Sequence, residues 1–186
     1  KVPREIFELQ FLGFYSCLKG VCIKMALMFR FYLLAAVLLS NFAIAEKLTL
    51  PPAKNFFMDA QKVWKSKTPI LIMFSIPDCG YCKKVKEDII GPMAELKEYN
   101  DKVIIRHINA NSFDEINNFY NEEVSHNEFA SRKAVNFFPT VLLVDQYGVT
   151  LEKVLGVTNE DYYWTDLDEL IISATDKIIN KMKAQL

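Results

Sequence analysis

From position 50 onward, the apolar residues form runs that predict the strands of one domain. Residues 69–76 (PILIMFSI) are a nearly continuous apolar run of strand length, which is typical of a strand buried on both faces of a sheet. Residues 102–109 (KVIIRHIN) predict a second strand. Residues 140–145 and 150–155 flank a short turn at Gly148, which predicts an antiparallel hairpin.

Rows of apolar residues at spacings of three and four predict the helices. One helix is expected over 55–65, another from Cys79 onward, a third over 126–135 and a long one at the C-terminal end. The residues expected to form their buried faces are Phe56, Phe57, Ala60, Val63 and Trp64 in the first, Cys82, Val85 and Ile89 in the second, then Met93 and Leu96 after a break or kink at Gly91-Pro92, and Leu167, Leu170, Ile171, Ala174, Ile178 and Met182 in the last.

Two hydroxyl residues are placed to cap helices. Ser125 precedes the third helix and has Glu128 three residues on, and Thr158 is a candidate cap for the C-terminal helix. Between the second strand and Ser125 the chain is polar and ambiguous, and we expect a short helix at 114–120. The predicted order is a helix followed by β-α-β-α-β-β-α, which indicates an α/β domain.

Composition supports a folded domain and excludes some functions. The chain has 186 residues, of which 51% are hydrophobic and 24% are charged, as in ordinary globular proteins. The formal charge of -1 leaves no excess of Lys and Arg for neutralising phosphates, so we expect no nucleic-acid partner.

Residues 25–45 have the layout of a signal peptide. Arg30 precedes the apolar run 31–39 (FYLLAAVLL), and residues 43–45 (AIA) carry small residues at the two positions that a signal peptidase recognises. The alternative is an uncleaved membrane anchor, but the run is well short of the roughly 20 apolar residues that span a bilayer. We therefore expect cleavage after Ala45 and export, to the periplasm of a Gram-negative bacterium.

Residues 1–24 do not fit a signal peptide, because the first methionines are Met25 and Met28. We interpret 1–24 as an over-extended reading frame. Cys17 and Cys22 lie there and could form a redox or metal pair, but export would remove them from the mature protein. The mature domain is expected to run from 46 to 186 and to contain only Cys79 and Cys82.

Cys79-Gly80-Tyr81-Cys82 is the candidate site, at the junction of the first strand and the next helix. A structural zinc site would need four ligands, and only His107 and His126 remain as further candidates, each of which is better explained as a strand or surface residue. Haem attachment would need a histidine after the second cysteine, where Lys83 stands. We expect neither a metal nor another cofactor.

The CxxC motif after an apolar strand, with Phe138-Pro139 opening a hairpin about 60 residues later, resembles the thioredoxin superfamily and in particular its exported bacterial members. The resemblance implies a thioredoxin fold, in which helices flank a central mixed sheet. It also implies a cis-proline at Pro139 beside the cysteines, with Phe138 backbone groups binding an extended substrate segment. The dipeptide Gly80-Tyr81 is similar to that of periplasmic disulfide isomerases.

Placement of the motif suggests how it works. N–H groups in the first turn of a helix lack internal partners and favour negative charge, so a thiolate at Cys79 is stabilised and should attack a disulfide. Cys82 lies one turn inside the helix, where it is more buried and can resolve the mixed disulfide. The resemblance therefore predicts a thiol-disulfide oxidoreductase, with protein thiols and disulfides as substrates and a membrane or periplasmic redox partner.

Two departures from thioredoxin affect this interpretation. Met73 stands where thioredoxin has a buried acid, and Asp78 or a water could substitute for that acid as the proton acceptor of the resolving thiol. Asp78 replaces the usual tryptophan, and its charge should disfavour the Cys79 thiolate and so favour a reductase. A disulfide oxidase or isomerase remains an alternative, as does a redox-inactive binding module, such as a chaperone for metal-protein or haem-protein assembly.

Overall fold

The computed structural model describes residues 50–157 and 159–184. The predicted signal peptide, Cys17 and Cys22, and the predicted cap Thr158 lie outside the described residues. The helices and strands are, in chain order, α1 (Phe56–Ser66), β1 (Ile70–Ser75), α2 (Gly80–Lys84), a π-helical segment (Val85–Ile90), α3 (Gly91–Glu95), a 3₁₀ turn (Lys97–Tyr99), β2 (Ile104–Asn109), β3 (Glu115–Asn117), β4 (Glu123–Ser125), α4 (His126–Arg132), β5 (Thr140–Val144), β6 (Thr150–Leu155) and α5 (Tyr163–Lys183).

Four strands form a mixed sheet in the order β2-β1-β5-β6. The strand β1 pairs with β2 in parallel and with β5 antiparallel, and β5 and β6 form the predicted antiparallel hairpin. All six residues of β1 are buried, as its apolar run predicted. The α/β class and the central mixed sheet flanked by helices are therefore confirmed.

Helices cover both faces of this sheet, and the sheet separates the core into two apolar clusters. Alternate residues of β1 point to opposite faces: Ile72 packs in the cluster with α1 and α4, and Met73 packs in the cluster with α2. The first half of α5 also packs in the second cluster, through Leu167 and Ile171. The CxxC helix is thus held against the end of β1 by apolar contacts. No helix among the described residues is long and apolar enough to cross a membrane.

The buried face of α1 differs from the prediction. Phe57 is 38% exposed and Trp64 is 54% exposed, and Asp59 is buried instead. The side chain of Arg106 on β2 donates two hydrogen bonds to the Asp59 carboxylate, at 2.6 and 2.7 Å. This ion pair makes burial of the charge possible, so the helix turns Asp59 inward and leaves both aromatic residues at the surface.

Gly91-Pro92, predicted to break or kink the helix after the CxxC motif, interrupts its regular α-helical turns without ending the helix. The chain stays helical by widening to a π-helical segment, in which the N–H of Gly91 donates to the carbonyl of Lys86 five residues earlier. Because Pro92 has no N–H, it cannot donate the backbone hydrogen bond of a regular α-helix. The wider π-helical turn accommodates this missing bond. Met93 is buried as predicted, whereas Leu96 lies beyond α3 and is 42% exposed.

The predicted helix at 114–120 is wrong. Residues there form β3, which pairs with β4 in a short antiparallel sheet. The cap prediction that follows is confirmed, since the hydroxyl of Ser125 accepts the N–H of Glu128 at 3.1 Å. The helix α4 ends at Arg132 rather than at Val135, and α5 begins at Tyr163 without a side-chain cap.

Candidate functional site

Cys79 lies at the N-cap of α2, directly after the turn that follows β1. Its Sγ accepts a hydrogen bond from the backbone N–H of Cys82 at 3.1 Å. This N–H is one of the donors that a helix N-terminus leaves without an internal partner. Negative charge on the sulfur of Cys79 is therefore stabilised both by this donor and by the helix dipole.

The two cysteines are bonded to each other and differ in exposure. Cys79 is half-buried, whereas Cys82 is only 3% exposed and packs in the apolar cluster that contains Met73 and Val85. A client disulfide can reach the first sulfur more readily than the second. This is the asymmetry that the sequence predicted.

Beside the cysteines, the loop before β5 is anchored on both sides of Phe138. The Thr140 hydroxyl donates to the carbonyl of Phe137 at 2.6 Å, and the N–H of Gly156 donates to the carbonyl of Pro139 at 2.8 Å. The peptide bond between Phe138 and Pro139 is cis. Because β5 runs antiparallel to β1, this loop lies at the same end of the sheet as Cys79.

Gly156 is a residue that the sequence analysis missed. Its φ is 67°, and a Cβ there would approach Cε1 of Phe137 to 2.9 Å. Any side chain at this position would both strain the backbone and displace Phe137. A glycine directly after a predicted strand was the available signal.

Comparison with known proteins identifies the family. A family model described as a thioredoxin-like domain matches residues 56–171, which include both cysteines and Pro139. The chain belongs to the thioredoxin-like family. A Cys-x-x-Cys pair on this domain makes the protein a thiol-disulfide oxidoreductase, and thioredoxin-like proteins act on protein thiols and disulfides.

Several solved thioredoxins have a similar structure. The reduced periplasmic thioredoxin SoxS from Paracoccus pantotrophus is 22% identical, with 57% of this chain and 98% of that chain covered and a TM-score of 0.41. Thioredoxin NaTrxh from Nicotiana alata is 23% identical, with 67% and 94% covered and a TM-score of 0.45. Fasciola hepatica thioredoxin is 18% identical, with 66% and 96% covered and a TM-score of 0.43. No curated protein matches the sequence significantly.

In this thioredoxin-like protein, an open pocket of about 610 Å³ lies against the cysteine pair. It is lined by Ser75, Ile76, Pro77, Asp78, Cys79, Gly80, Cys82, Lys83, Lys86 and Glu87. Asp78 is exposed and has a left-handed backbone, with φ of 56°. The charged groups around Cys79 therefore include both signs.

The two lysines after the motif are each held by a carboxylate. Lys83 lies 3.9 Å from Glu87, and Lys84 pairs with Glu160 from the loop before α5. The Glu160 hydrogen bond raises the pKa of Lys84. Both ammonium groups are neutralised in part, so they oppose the charge of Asp78 less than isolated lysines would.

Around the motif, Gly80 and Tyr81 are exposed and Phe138 is half-buried. The Tyr81 side chain is 61% exposed and that of Phe137 is 58% exposed. The site end of the sheet thus carries aromatic surface that the core does not use.

The two histidines do not join the cysteines in a metal site. The ring nitrogen Nδ1 of His126 accepts a hydrogen bond from the backbone N–H of Asn109 at 3.2 Å, and the ring nitrogen Nε2 of His107 is hydrogen-bonded to the hydroxyl of Ser75. Within residues 50–157 and 159–184, no group of three or more His, Cys, Asp or Glu side chains could hold a metal ion. His107 lies on a strand as expected, but His126 is buried at the start of α4 rather than at the surface.

Proposed function

We propose that this protein is an exported reductase of protein disulfides, in which Cys79 attacks the client and Cys82 resolves the mixed disulfide. The observation that carries the attacking role of Cys79 is the N–H of Cys82 donating to its Sγ, since the same donor stabilises a thiolate in the reduced protein. The reductive direction is supported instead by Asp78, whose negative charge in the same pocket disfavours that thiolate. The greater exposure of Cys79 supports its role as the attacking sulfur.

The client segment is proposed to lie along the loop before Pro139. The carbonyls of Phe137 and Pro139 are already engaged, which leaves Phe138 between two anchored positions to present its backbone groups to an extended chain. Tyr81 and Gly80 border the same site and would contact residues next to the client cysteine. The bare Cα of Gly80 has open space around it, which favours close approach.

Roles of the two cysteines can be separated by substitution. Cys79→Ser should abolish disulfide exchange, whereas Cys82→Ser should accumulate covalent mixed disulfides with clients because the resolving thiol is gone. The measurement is non-reducing electrophoresis of each variant after incubation with an oxidised client protein. Trapped species from Cys79→Ser and none from Cys82→Ser would reverse the roles.

Two assays test the direction of catalysis. Reduction of insulin with a dithiol donor should show turnover, whereas a redox-inactive binding module would show none. A redox titration against glutathione should give a potential well below the oxidising extreme of the superfamily. A value near that extreme, about -120 mV, would instead identify a disulfide-introducing enzyme.

Export is proposed from the apolar run 31–39 and the residues 43–45. Expression of the full chain in a Gram-negative host should release a periplasmic form whose N-terminal residue is Glu46. A protein retained in the cytoplasm with an intact N-terminus would contradict the proposal. Retention in the membrane would support the uncleaved anchor.

A further inference from the structure

Ser75, which lines the pocket, forms a polar pair with His107. The Oγ of Ser75 lies 2.7 Å from Nε2 of His107. Ser75 is the last residue of β1. It is buried and lines the same pocket as Cys82. A buried hydroxyl that lines the same pocket as a reactive sulfur calls for a chemical explanation.

Strand geometry places this pair on the side of the sheet that carries the cysteines. Met73 and Ser75 share one face of β1, and Met73 packs in the same apolar cluster as Cys82. His107 lies beside Met73 in the parallel register of β1 and β2, so its ring occupies that face as well. Where Met73 offers no polar group, Ser75 and His107 supply two.

The imidazole of His107 is neutral at physiological pH. Burial, with the nearby charge of Lys86 and a contribution from His126, lowers the pKa of His107 to about 4. A neutral imidazole carries one N–H, and on Nε2 this group can donate to the oxygen of Ser75. The Ser75 hydroxyl is then free to donate its own proton into the pocket.

We propose that Ser75, oriented by His107, donates a hydrogen bond to the sulfur of Cys82 and stabilises its thiolate during resolution. His107 is then a positioning residue, because it acts through Ser75. The inference rests on the resolving role proposed above for Cys82. It adds a hydrogen-bond donor for the Cys82 thiolate, whereas the sequence suggested only a proton acceptor, Asp78 or a water.

The resolving step balances without another reactant. The Cys82 thiol releases its proton to solvent in the open pocket, and the thiolate attacks Sγ of Cys79 in the mixed disulfide. The Cys79–Cys82 bond forms as the bond from Cys79 to the client sulfur breaks, and the client leaves as a thiolate with that electron pair. The cysteine pair is oxidised and the client is reduced.

The test measures the two steps separately with glutathione disulfide as the probe. Formation of the Cys79–glutathione adduct is followed in a Cys82→Ser background, and decay of the adduct is followed with Cys82 present, by acid quench and mass spectrometry of the Cys79 peptide. Ser75→Ala should leave adduct formation unchanged. It should slow decay at neutral pH by about threefold to tenfold, since losing a hydrogen bond to a charged group outweighs the gain in thiolate nucleophilicity.

The pH profile provides a readout that a structural role would not change. The pH midpoint of adduct decay should rise by roughly one to two units in Ser75→Ala, and the profile of adduct formation should not move. The charged side chains that line the pocket are Asp78, Lys83, Lys86 and Glu87, with His107 and His126 behind it, and all are retained in the variant. Because His107 titrates near pH 4, its own protonation lies outside this range.

Two further variants complete the test. Ser75→Thr keeps the hydroxyl and should restore adduct decay. Thr68→Val removes a hydroxyl of equal burial, bonded to Ser66 at 2.6 Å, at the opposite end of β1, and should change neither step. The inference is overturned if Ser75→Ala resolves the adduct at the native rate or slows both steps equally. Absence of any adduct on native Cys79 would overturn the proposed function together with this inference.

Discussion

Asp78 shows how one residue can set both the backbone and the electrostatics of the active-site turn. Its left-handed φ of 56° belongs to a region that Asn and Asp tolerate better than other residues with a Cβ. Its carboxylate lies in the same pocket as Cys79. Any substitution that changes the charge must therefore preserve the backbone before its effect on Cys79 can be interpreted.

Asp78→Asn meets this condition, since Asn also adopts the left-handed conformation. Removing the negative charge should stabilise the Cys79 thiolate and hence the reduced protein, raising the reduction potential by about 10 to 30 mV. The measurement is a glutathione redox titration. Asp101→Asn makes the same charge change in the exposed turn before β2 and should not shift the potential. Equal shifts in both variants would show that net charge alone is responsible.

At the scale of elements, the ion pair between Asp59 and Arg106 joins α1 to the sheet. Asp59→Asn should lower the free energy of unfolding by about 3 kcal/mol, because the guanidinium of Arg106 would lose its charged partner in a largely buried position. Urea unfolding at neutral pH measures the change. Glu128→Gln breaks a bond of similar length to Arg132, but both side chains are half-exposed, so a much smaller loss is expected. Comparable losses would contradict the assignment of stability to burial.

This pair also explains which elements were predictable. The run 69–76 and the cap at Ser125 depend on neighbours in the sequence, and both were predicted correctly. The exposure of Trp64 was missed because it follows from Asp59 turning inward, which needs a partner 47 residues away. The short strand Glu115–Asn117 likewise exists only through pairing with its neighbour.

For the site, the sequence motif identified the two cysteines but not the hydrogen-bonded pair of Ser75 and His107. Cys79 and Cys82 are three residues apart, so their proximity follows from one helical turn. Ser75 and His107 are 32 residues apart and meet only because β1 and β2 pair in a particular register. His107 was considered only as a metal ligand, since nothing local indicated a serine partner.

At the scale of the whole molecule, two histidines with lowered pKa values couple folding to pH. His107 has a pKa of about 4 in the folded protein, against about 6.5 in an unfolded chain, and burial also lowers the pKa of His126. Between these values the unfolded state binds more protons than the folded state. The stability contributed by the neutral imidazole of His107 is therefore fully present above pH 6.5 and is lost as the pH falls towards 4.

Replacing His107 with Gln should remove its share of this acid sensitivity while keeping a polar group near Ser75. Between pH 7 and pH 5, the free energy of unfolding of the native protein should fall by about 1 to 2 kcal/mol more than that of His107→Gln. The contribution of His126 is present in both proteins and cancels in the comparison. Urea titrations at the two pH values provide the four free energies. Equal losses in the two proteins would mean that His107 takes up its proton as readily when folded as when unfolded, and that burial does not keep its ring neutral.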